Sequence, residues 1–216
     1  EDIGESVARV DGRDLRLTID TKIQFFAYQR VRDAVAEHRA TSGSVVVLDV
    51  ATGGVLAMAN YPSFTPGVRG VTAASARRNL ALVDTAEPGS TMKPFIAALA
   101  LESGRFRPSD VIQTAPGKLY VTGLPITDEH SMPAMTVEQV VQKSSNVGTA
   151  KIALQMPARE IWDLYTRVGF GQKPQIDFPG RVTGKLRAHQ SWRPIDHATI
   201  GFGYGVSVSL MQLAQS

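Results

Sequence analysis

A serine and a lysine occupy positions i and i+3 of the segment 90–93. On a helix these two positions share a face, so the Lys93 amine can approach the Ser90 hydroxyl. A serine hydroxyl is a poor nucleophile until a base removes its proton, and a lysine partly removed from water can be that base. Pro88-Gly89 makes a sharp turn that places Ser90 at a helix N-terminus, where backbone N–H groups can stabilise an oxyanion. The pattern therefore predicts a nucleophilic serine, although a capping serine followed by a solvated lysine has the same spacing.

A second polar motif follows at Ser144-Ser145-Asn146. The Ser144 hydroxyl can relay a proton between a lysine and a leaving amine. The Asn146 amide offers both a donor and an acceptor to the backbone of a peptide substrate. Considered alone, this tripeptide is equally typical of a polar link between two helices. Taken together, the two motifs make Ser90, Lys93, Ser144 and Asn146 the candidate catalytic residues.

The composition excludes several other kinds of site. The 23 basic and 20 acidic side chains leave a net charge of +3 without a basic run, which argues against a nucleic-acid partner. The chain has no cysteine, so disulfides and thiolate metal sites are excluded. The histidines lack the paired spacing of zinc ligands, and they are His38, His130, His189 and His197. We therefore expect neither a metal nor an organic cofactor.

No apolar stretch is long enough to cross a bilayer, and the sequence starts at Glu1 without a signal peptide. From this we expect the chain to be an excised piece whose membrane anchor lies outside it.

The N-terminal part, residues 15–60, should form a helix and a sheet hairpin. Alternating residues 15–19 predict a strand, and an amphipathic helix follows from the N-cap Asp20 to about residue 40. Two β-rich runs, 44–50 and 55–60, flank a Gly53-Gly54 turn and predict an antiparallel hairpin. Its first strand is apolar on both faces, which indicates a covered sheet.

The rest of the chain should hold several helices after a loop-rich segment at 61–87. A short helix is expected at 73–78, and residues 88–104 should hold the nucleophile helix, with Pro94 in its first turn. Residues 105–200 should form a mostly helical subdomain with one hairpin at 119–126. Thr136 and Gln139 predict a capping box for a helix at 137–142, followed by helices at 150–156 and 161–168 and by the start of another at 210–216. A stable sheet needs more than two strands, so we expect further strands beyond Ser216.

Longer strings resemble the class B penicillin-binding proteins, in particular the division-specific peptidoglycan D,D-transpeptidases. In chain order they are GRDL at 12–15, LTID at 17–20, ANYPS at 59–63, EPGSTMKPF at 87–95, KSSNVG at 143–148 and GFGYG at 201–205. They run through nearly the whole chain, and the two short motifs belong to the set typical of penicillin-binding proteins. The resemblance implies an α+β fold of the penicillin-binding and serine β-lactamase type, with an antiparallel sheet flanked by helices, a helical subdomain and Ser90 in the cleft between them.

The resemblance also implies an acyl-transfer reaction. Ser90 would attack the D-Ala-D-Ala carbonyl of a peptidoglycan stem peptide and expel D-Ala, and an amine of a neighbouring stem would then resolve the acyl-enzyme. Lys93 would be the general base, with Ser144 and Asn146 beside it, and β-lactam antibiotics would acylate Ser90 in the same way. Ser-Ser-Asn followed by Val-Gly favours division over elongation, since elongation relatives often carry Asp at the third position.

The chain departs from the family pattern in its third motif. Neither Lys-Thr-Gly nor Lys-Ser-Gly occurs, and residues 183–185 have the wrong order. In the family this motif follows the second one by more residues than remain after Asn146. We therefore expect residues 1–216 to be an incomplete transpeptidase domain that lacks the C-terminal strands and is inactive by itself.

For the whole protein, the resemblance implies an inner-membrane location with the catalytic domain in the periplasm. Its protein partners would be a septal glycosyltransferase and other membrane proteins of the divisome. Three other functions stay open: a non-catalytic penicillin-binding sensor or divisome scaffold, a serine β-lactamase and a nucleotide-binding protein. A class A β-lactamase needs a water-activating glutamate, and Glu160 is the only glutamate after Asn146. Nucleotide binding would use the glycine cluster 201–205, which backbone packing explains better.

Overall fold

The computed structural model describes residues 10–65, 67 and 74–216. They form an α+β fold, which confirms the predicted class. The α-helices are α1 Thr21–Glu37, α2 Leu80–Val83, α3 Lys93–Glu102, α4 Val137–Gln142, α5 Asn146–Leu154, α6 Ala158–Arg167, α7 Pro194–Ile200 and α8 Leu210–Gln215. The strands are β1 Gly43–Leu48, β2 Val55–Tyr61, β3 Thr85–Ala86, β4 Val111–Gln113, β5 Lys118–Val121, β6 Leu124–Thr127, β7 Ala134–Thr136, β8 Lys185–Leu186 and β9 Val206–Ser209. The 3₁₀ helices are Ala74–Arg77, Gly89–Met92 and His189–Ser191.

All strand pairs are antiparallel within the described residues. The pair β1-β2 is the predicted antiparallel hairpin around its glycine turn, and β5-β6 is the predicted second hairpin. The structure adds the pair β4-β7 and the three-stranded sheet β3-β9-β8, neither of which has a sequence signal. These strands are two to four residues long, which is too short for a visible alternation of apolar and polar residues.

Helix α1 packs on the β1-β2 hairpin through a cluster formed by Ala27, Val31, Val35, Ala57 and Ala59. It is capped as predicted, because the Asp20 carboxylate accepts the N–H groups of residues 22 and 23 at 2.9 and 3.0 Å. The helix ends at Glu37 instead of residue 40.

The predicted strand at 15–19 is wrong. This segment is not part of a ladder, and it joins the hairpin only at its end, where Thr18 Oγ1 donates to the Val55 carbonyl at 2.7 Å. Alternation shows that a segment can be extended, but a strand also needs a partner whose backbone groups are free. Here β1 occupies one edge of β2, and the backbone groups on the other edge bond to the Asp20 N–H and to the Gln24 side chain. Leu15 and Leu17 stay exposed.

Helix α3 forms the centre of the main core, where its buried residues Ile96 and Ala100 pack among α4, α5 and α6. It starts at Lys93, two residues before the predicted apolar run, and continues the 3₁₀ turn that begins at Gly89. Pro94 lies in its first turn as predicted. The nucleophile segment is thus held at the start of a helix whose middle is deeply buried.

Three helices of the 105–200 region, α4, α5 and α6, follow the predicted pattern, the last two with shifted starts, whereas α7 was not predicted. The Thr136–Gln139 capping box of α4 is confirmed. Helix α5 begins at Asn146, earlier than residue 150, because the Ser145 hydroxyl caps it by accepting the Gly148 N–H. Instead of an α-helix at 73–78, the structure has the short 3₁₀ helix, and Ala73 lies outside the described residues. Helix α8 lies where the last helix was predicted.

Among the described residues, no helix combines the length and the apolar character that a membrane span requires.

Candidate active site

Ser90 is exposed within the 3₁₀ turn that leads into α3. Its backbone carbonyl accepts the N–H of Lys93, so one tight turn separates the two residues. A 3₁₀ helix has about three residues per turn, which places the side chains of positions i and i+3 on the same side. The local backbone therefore presents Ser90 and Lys93 on one face.

The Lys93 side chain joins the two sequence motifs. The residue is 2% exposed, although lysine is rarely buried without a partner. Its Nζ donates to Ser144 Oγ at 2.8 Å and to the Ser144 carbonyl at 2.5 Å. These two contacts bring together residues that are 51 positions apart in sequence.

Burial shifts the titration of Lys93. Removal from water disfavours the ammonium form and lowers the pKa of Lys93 below its usual range, while the negative charge of Asp128 opposes that shift. An ammonium nitrogen has three N–H donors, whereas a neutral amine has two and a lone pair. Two N–H groups satisfy Ser144, so loss of the third proton produces a base without breaking either contact.

Ser144 lies in the short link between α4 and α5 with φ of +54°, in the left-handed region that a non-glycine residue seldom adopts. Such backbone strain persists where the surroundings enforce it, often at functional sites. Here the N–H groups of Ser144 and Ser145 bond to carbonyls of α4 at 3.1 and 3.0 Å, which fixes the link. The bend turns both Ser144 oxygens towards Lys93.

Asp128, which the sequence analysis did not single out, fastens the second motif. Its carboxylate accepts Ser145 Oγ–H at 2.8 Å and the Val147 N–H at 2.9 Å. The amide of Asn146 donates to the Thr127 carbonyl at 2.9 Å. Three hydrogen bonds therefore hold the start of α5 at the end of strand β6. The only sequence signal for Asp128 is its position directly after a predicted hairpin.

The four predicted residues are not all joined by direct contacts. Lys93 and Ser144 are hydrogen-bonded, and Asn146 starts the helix that follows Ser144. In the part of the chain that the structure describes, no hydrogen bond is made by the Ser90 hydroxyl. The arrangement thus supplies an exposed hydroxyl, a buried amine beside it in the helix, and a second hydroxyl bound to that amine.

For any reaction that depends on neutral Lys93, the Asp128→Asn variant is expected to shift the acidic limb of the pH–rate profile to lower pH. The negative charge of Asp128 raises the pKa of Lys93, so its removal lets the ammonium lose its proton at lower pH. The pH profile of the second-order rate constant measures this shift. Asp163→Asn, which removes an exposed carboxylate on α6, is the matched control and should leave the limb in place. A limb that moves upward in Asp128→Asn would contradict the assigned charge effect.

Ser144→Gly is expected to be more stable than Ser144→Ala by about 1 kcal/mol. Both variants lack the hydroxyl, but only glycine adopts the observed φ of +54° without steric strain. Urea unfolding of the two variants measures the difference. At the preceding Lys143, where φ is −92°, glycine should instead be no more stable than alanine. Equal stability of the two Ser144 variants would show that the strain is absent.

Two of the alternative functions depend on Glu160 and on the glycine cluster 201–205, and the structure does not place these residues for those functions. Glu160 forms a two-pronged ion pair with Arg105 at 2.6 and 2.8 Å, beyond the end of α3 that is opposite Ser90, so it is not placed to activate water there. Within the glycine cluster 201–205, Gly203 packs against backbone, as predicted: a Cβ there would lie 2.2 Å from the Gly89 carbonyl oxygen. Among the residues described, no group of three acidic or histidine side chains is placed to hold a metal ion.

The sequence matches the family model described as the penicillin-binding protein transpeptidase domain over residues 43–216. It is 42% identical over 206 residues to the probable peptidoglycan D,D-transpeptidase PenA of Neisseria gonorrhoeae, covering 95% of this chain and 35% of the relative. It is 40% identical over 215 residues to the peptidoglycan D,D-transpeptidase FtsI of Escherichia coli K12, covering 100% of this chain and 36% of the relative. The chain thus spans about a third of the length of these curated relatives.

Solved structures agree with the sequence matches. A protein from Burkholderia ambifaria named a peptidoglycan glycosyltransferase superposes with a TM-score of 0.84 at 45% identity, over 92% of this chain and 59% of that one. The transpeptidase domain of penicillin-binding protein 3 from Burkholderia pseudomallei gives a TM-score of 0.82 at 44% identity, over 91% and 55%. The predicted fold type is therefore confirmed at both the sequence and the structural level.

Proposed function

The chain belongs to the penicillin-binding protein transpeptidase domain family, and on this premise we propose that it carries the catalytic serine of a peptidoglycan D,D-transpeptidase. The proposed reaction cross-links stem peptides through an acyl-enzyme on Ser90. The proposal concerns the whole protein, because residues 1–216 correspond to about a third of the relatives.

One observation carries the proposal: the buried Lys93 amine is bound to Ser144 and lies one 3₁₀ turn after the exposed Ser90. A lysine held only for stability would gain more by staying charged in water, since burial of an ammonium is costly. Its lowered pKa and its neighbouring hydroxyls suit a group that accepts and returns a proton.

In the first half-reaction, Ser90 Oγ attacks the carbonyl carbon of the penultimate D-Ala. The hydroxyl proton passes to the neutral Lys93 amine, and backbone N–H groups at the start of the helix stabilise the oxyanion. Collapse of the tetrahedral intermediate breaks the amide bond. The leaving D-Ala nitrogen takes a proton from Lys93 through Ser144 Oγ, and an ester on Ser90 remains.

The second half-reaction reverses these roles. An amine of a neighbouring stem attacks the ester, loses a proton to the Ser144 and Lys93 pair, and releases Ser90 Oγ, which regains its proton. Asn146 is proposed to bind the backbone of the stem peptide through the part of its amide that Thr127 leaves free. A β-lactam amide would acylate Ser90 by the first half-reaction and then persist as the ester.

We propose a septal role for the whole protein, with the catalytic domain in the periplasm and an anchor in the inner membrane. Its protein partners would be a septal glycosyltransferase and other divisome membrane proteins. The Ser-Ser-Asn-Val-Gly string and the 40% identity to FtsI support this role. Depletion of the protein should then block division and give filamentous cells, whereas loss of rod shape would indicate an elongation role.

The enzymatic proposal is tested with a stem peptide ending in D-Ala-D-Ala and an amine acceptor. The protein for this assay carries any chain that naturally flanks residues 1–216. We expect release of one D-Ala for each cross-linked product, and no release from a peptide ending in D-Ala-L-Ala.

The alternative functions predict different outcomes in the same assay. Rapid turnover of a penicillin without cross-linking would indicate a serine β-lactamase. Stoichiometric penicillin binding without D-Ala release would indicate a sensor. A folded protein with neither activity would favour a scaffold.

A further inference from the structure

The turn before Ser90 is in close backbone contact with residues 203–205, which we name the clamp loop. The Gly89 N–H donates to the Gly203 carbonyl at 3.3 Å. A Cβ on Gly203 would lie 2.2, 2.4 and 2.6 Å from the carbonyl oxygen, nitrogen and Cα of Gly89. These neighbours are backbone atoms, which cannot move aside as a flexible side chain would.

A second contact fixes the same turn from the other end of the clamp loop. The Gly205 N–H donates to Glu87 Oε1 at 2.8 Å. Strand β9 then continues from the clamp loop and pairs with β3, which leads into Glu87. The two chain segments therefore run side by side from β3 to Gly89, immediately before Ser90.

The clamp loop is itself anchored on the core that carries the second motif. The N–H groups of Gly203 and Tyr204 bond to carbonyls of α7 at 3.2 Å each. Phe202 packs in one cluster with Val147 and Ala150 of α5, the helix that begins at Asn146. A continuous set of contacts thus connects α5 with the turn that holds Ser90.

We propose that the clamp loop positions Ser90 relative to Lys93 and Ser144, and that Gly203 is a positioning residue for acylation. This inference rests on the proposed function of Ser90. Gly203 touches neither Ser90 Oγ nor Lys93 in the contacts above, so its effect is exerted through Gly89. Since φ of Gly203 is +88°, an L-residue there would be strained and would also displace Gly89.

The first test compares Gly203→Ala with Gly169→Ala. Gly169 ends α6 with φ of +94°, and a Cβ added there would meet nothing within 4 Å, so it supplies the backbone strain without the displacement. Stopped-flow acylation by a chromogenic penicillin separates the acylation rate constant from the dissociation constant of the initial complex. Gly203→Ala should lower the rate constant roughly 100-fold, as expected for a misplaced reacting group, and Gly169→Ala should not.

The second test uses Glu87, since Gly203→Ala can fail to fold. Glu87→Ala removes the acceptor for the Gly205 N–H and should lower the acylation rate constant roughly tenfold. Glu87→Gln keeps an acceptor oxygen and should restore the rate. Because the amide lacks the negative charge, this rescue separates a positioning hydrogen bond from an electrostatic role.

The outcomes separate this inference from the proposed function. Failure of the unsubstituted protein to become acylated would overturn the proposed function. Normal acylation of that protein together with equal rate constants for the two glycine variants would overturn only the positioning role. A decrease of the acylation rate constant in Glu87→Gln as large as that in Glu87→Ala would also overturn only the positioning role.

Discussion

Replacing Lys93 by methionine is expected to slow acylation by a penicillin roughly 10²- to 10⁴-fold, the usual contribution of a general base. Methionine has a similar length and fills the buried site without a charge, so the fold should be kept. Ser144 Oγ would lose its partner, and no group in the contacts described above could take the Ser90 proton. The second-order acylation rate constant, measured with a fluorescent penicillin, checks this result.

Two comparison variants make the Lys93 prediction specific. Lys93→Arg keeps a positive charge but cannot serve as a base, because a guanidinium stays protonated in proteins, and it should be slowed to a similar extent. Lys143→Met changes an exposed lysine beside the second motif and should keep the rate. An active Lys93→Arg variant would mean that the charge of Lys93 matters and that its basicity does not.

Replacing Ser90 by alanine is expected to abolish the covalent adduct and the release of D-Ala. The ester requires an oxygen at this position, and the neighbouring Thr91 hydroxyl is already bonded to the Pro88 carbonyl at 2.8 Å. Because Ser90 is exposed and its hydroxyl makes no hydrogen bond in the described part of the chain, stability should change by no more than about 0.5 kcal/mol. Gel fluorescence after labelling with a fluorescent penicillin, together with thermal unfolding, measures both quantities.

Thr91→Ala is the matched control for the nucleophile, since it removes an exposed hydroxyl from the same turn. It should keep the label, with only a small loss of stability from the missing bond to Pro88. Labelling of Ser90→Ala at the level of the unsubstituted protein would place the nucleophile elsewhere.

The sequence predicted those parts of the site that depend on local spacing. Ser90 and Lys93 lie one turn apart, and Thr136 and Gln139 cap α4, the helix before the second motif, because hydrogen bonds between close neighbours determine both features. The family resemblance added the pairing of the two motifs. The 2.8 Å contact between Lys93 and Ser144 is consistent with that pairing, while the catalytic roles stay a proposal.

The parts that were missed depend on tertiary contacts. Asp128 reaches the second motif only because the β5-β6 hairpin packs against α5, and no local pattern records that packing. The role proposed for Gly203 rests on a backbone contact with Gly89, far away in sequence. The wrong prediction of a strand at 15–19 also results from tertiary contacts, because an extended segment becomes a strand only where the edge of a partner strand is free.

Intact-mass spectrometry of the protein after incubation with penicillin tests the central claim most directly. The protein should carry any chain that naturally flanks residues 1–216, with Ser90→Ala as the control. We predict one adduct with the mass of the intact penicillin, mapped by peptide analysis to Ser90 and absent from the control. A folded protein that gains no adduct, or one that carries it at another residue, would contradict the assignment of Ser90 as the nucleophile.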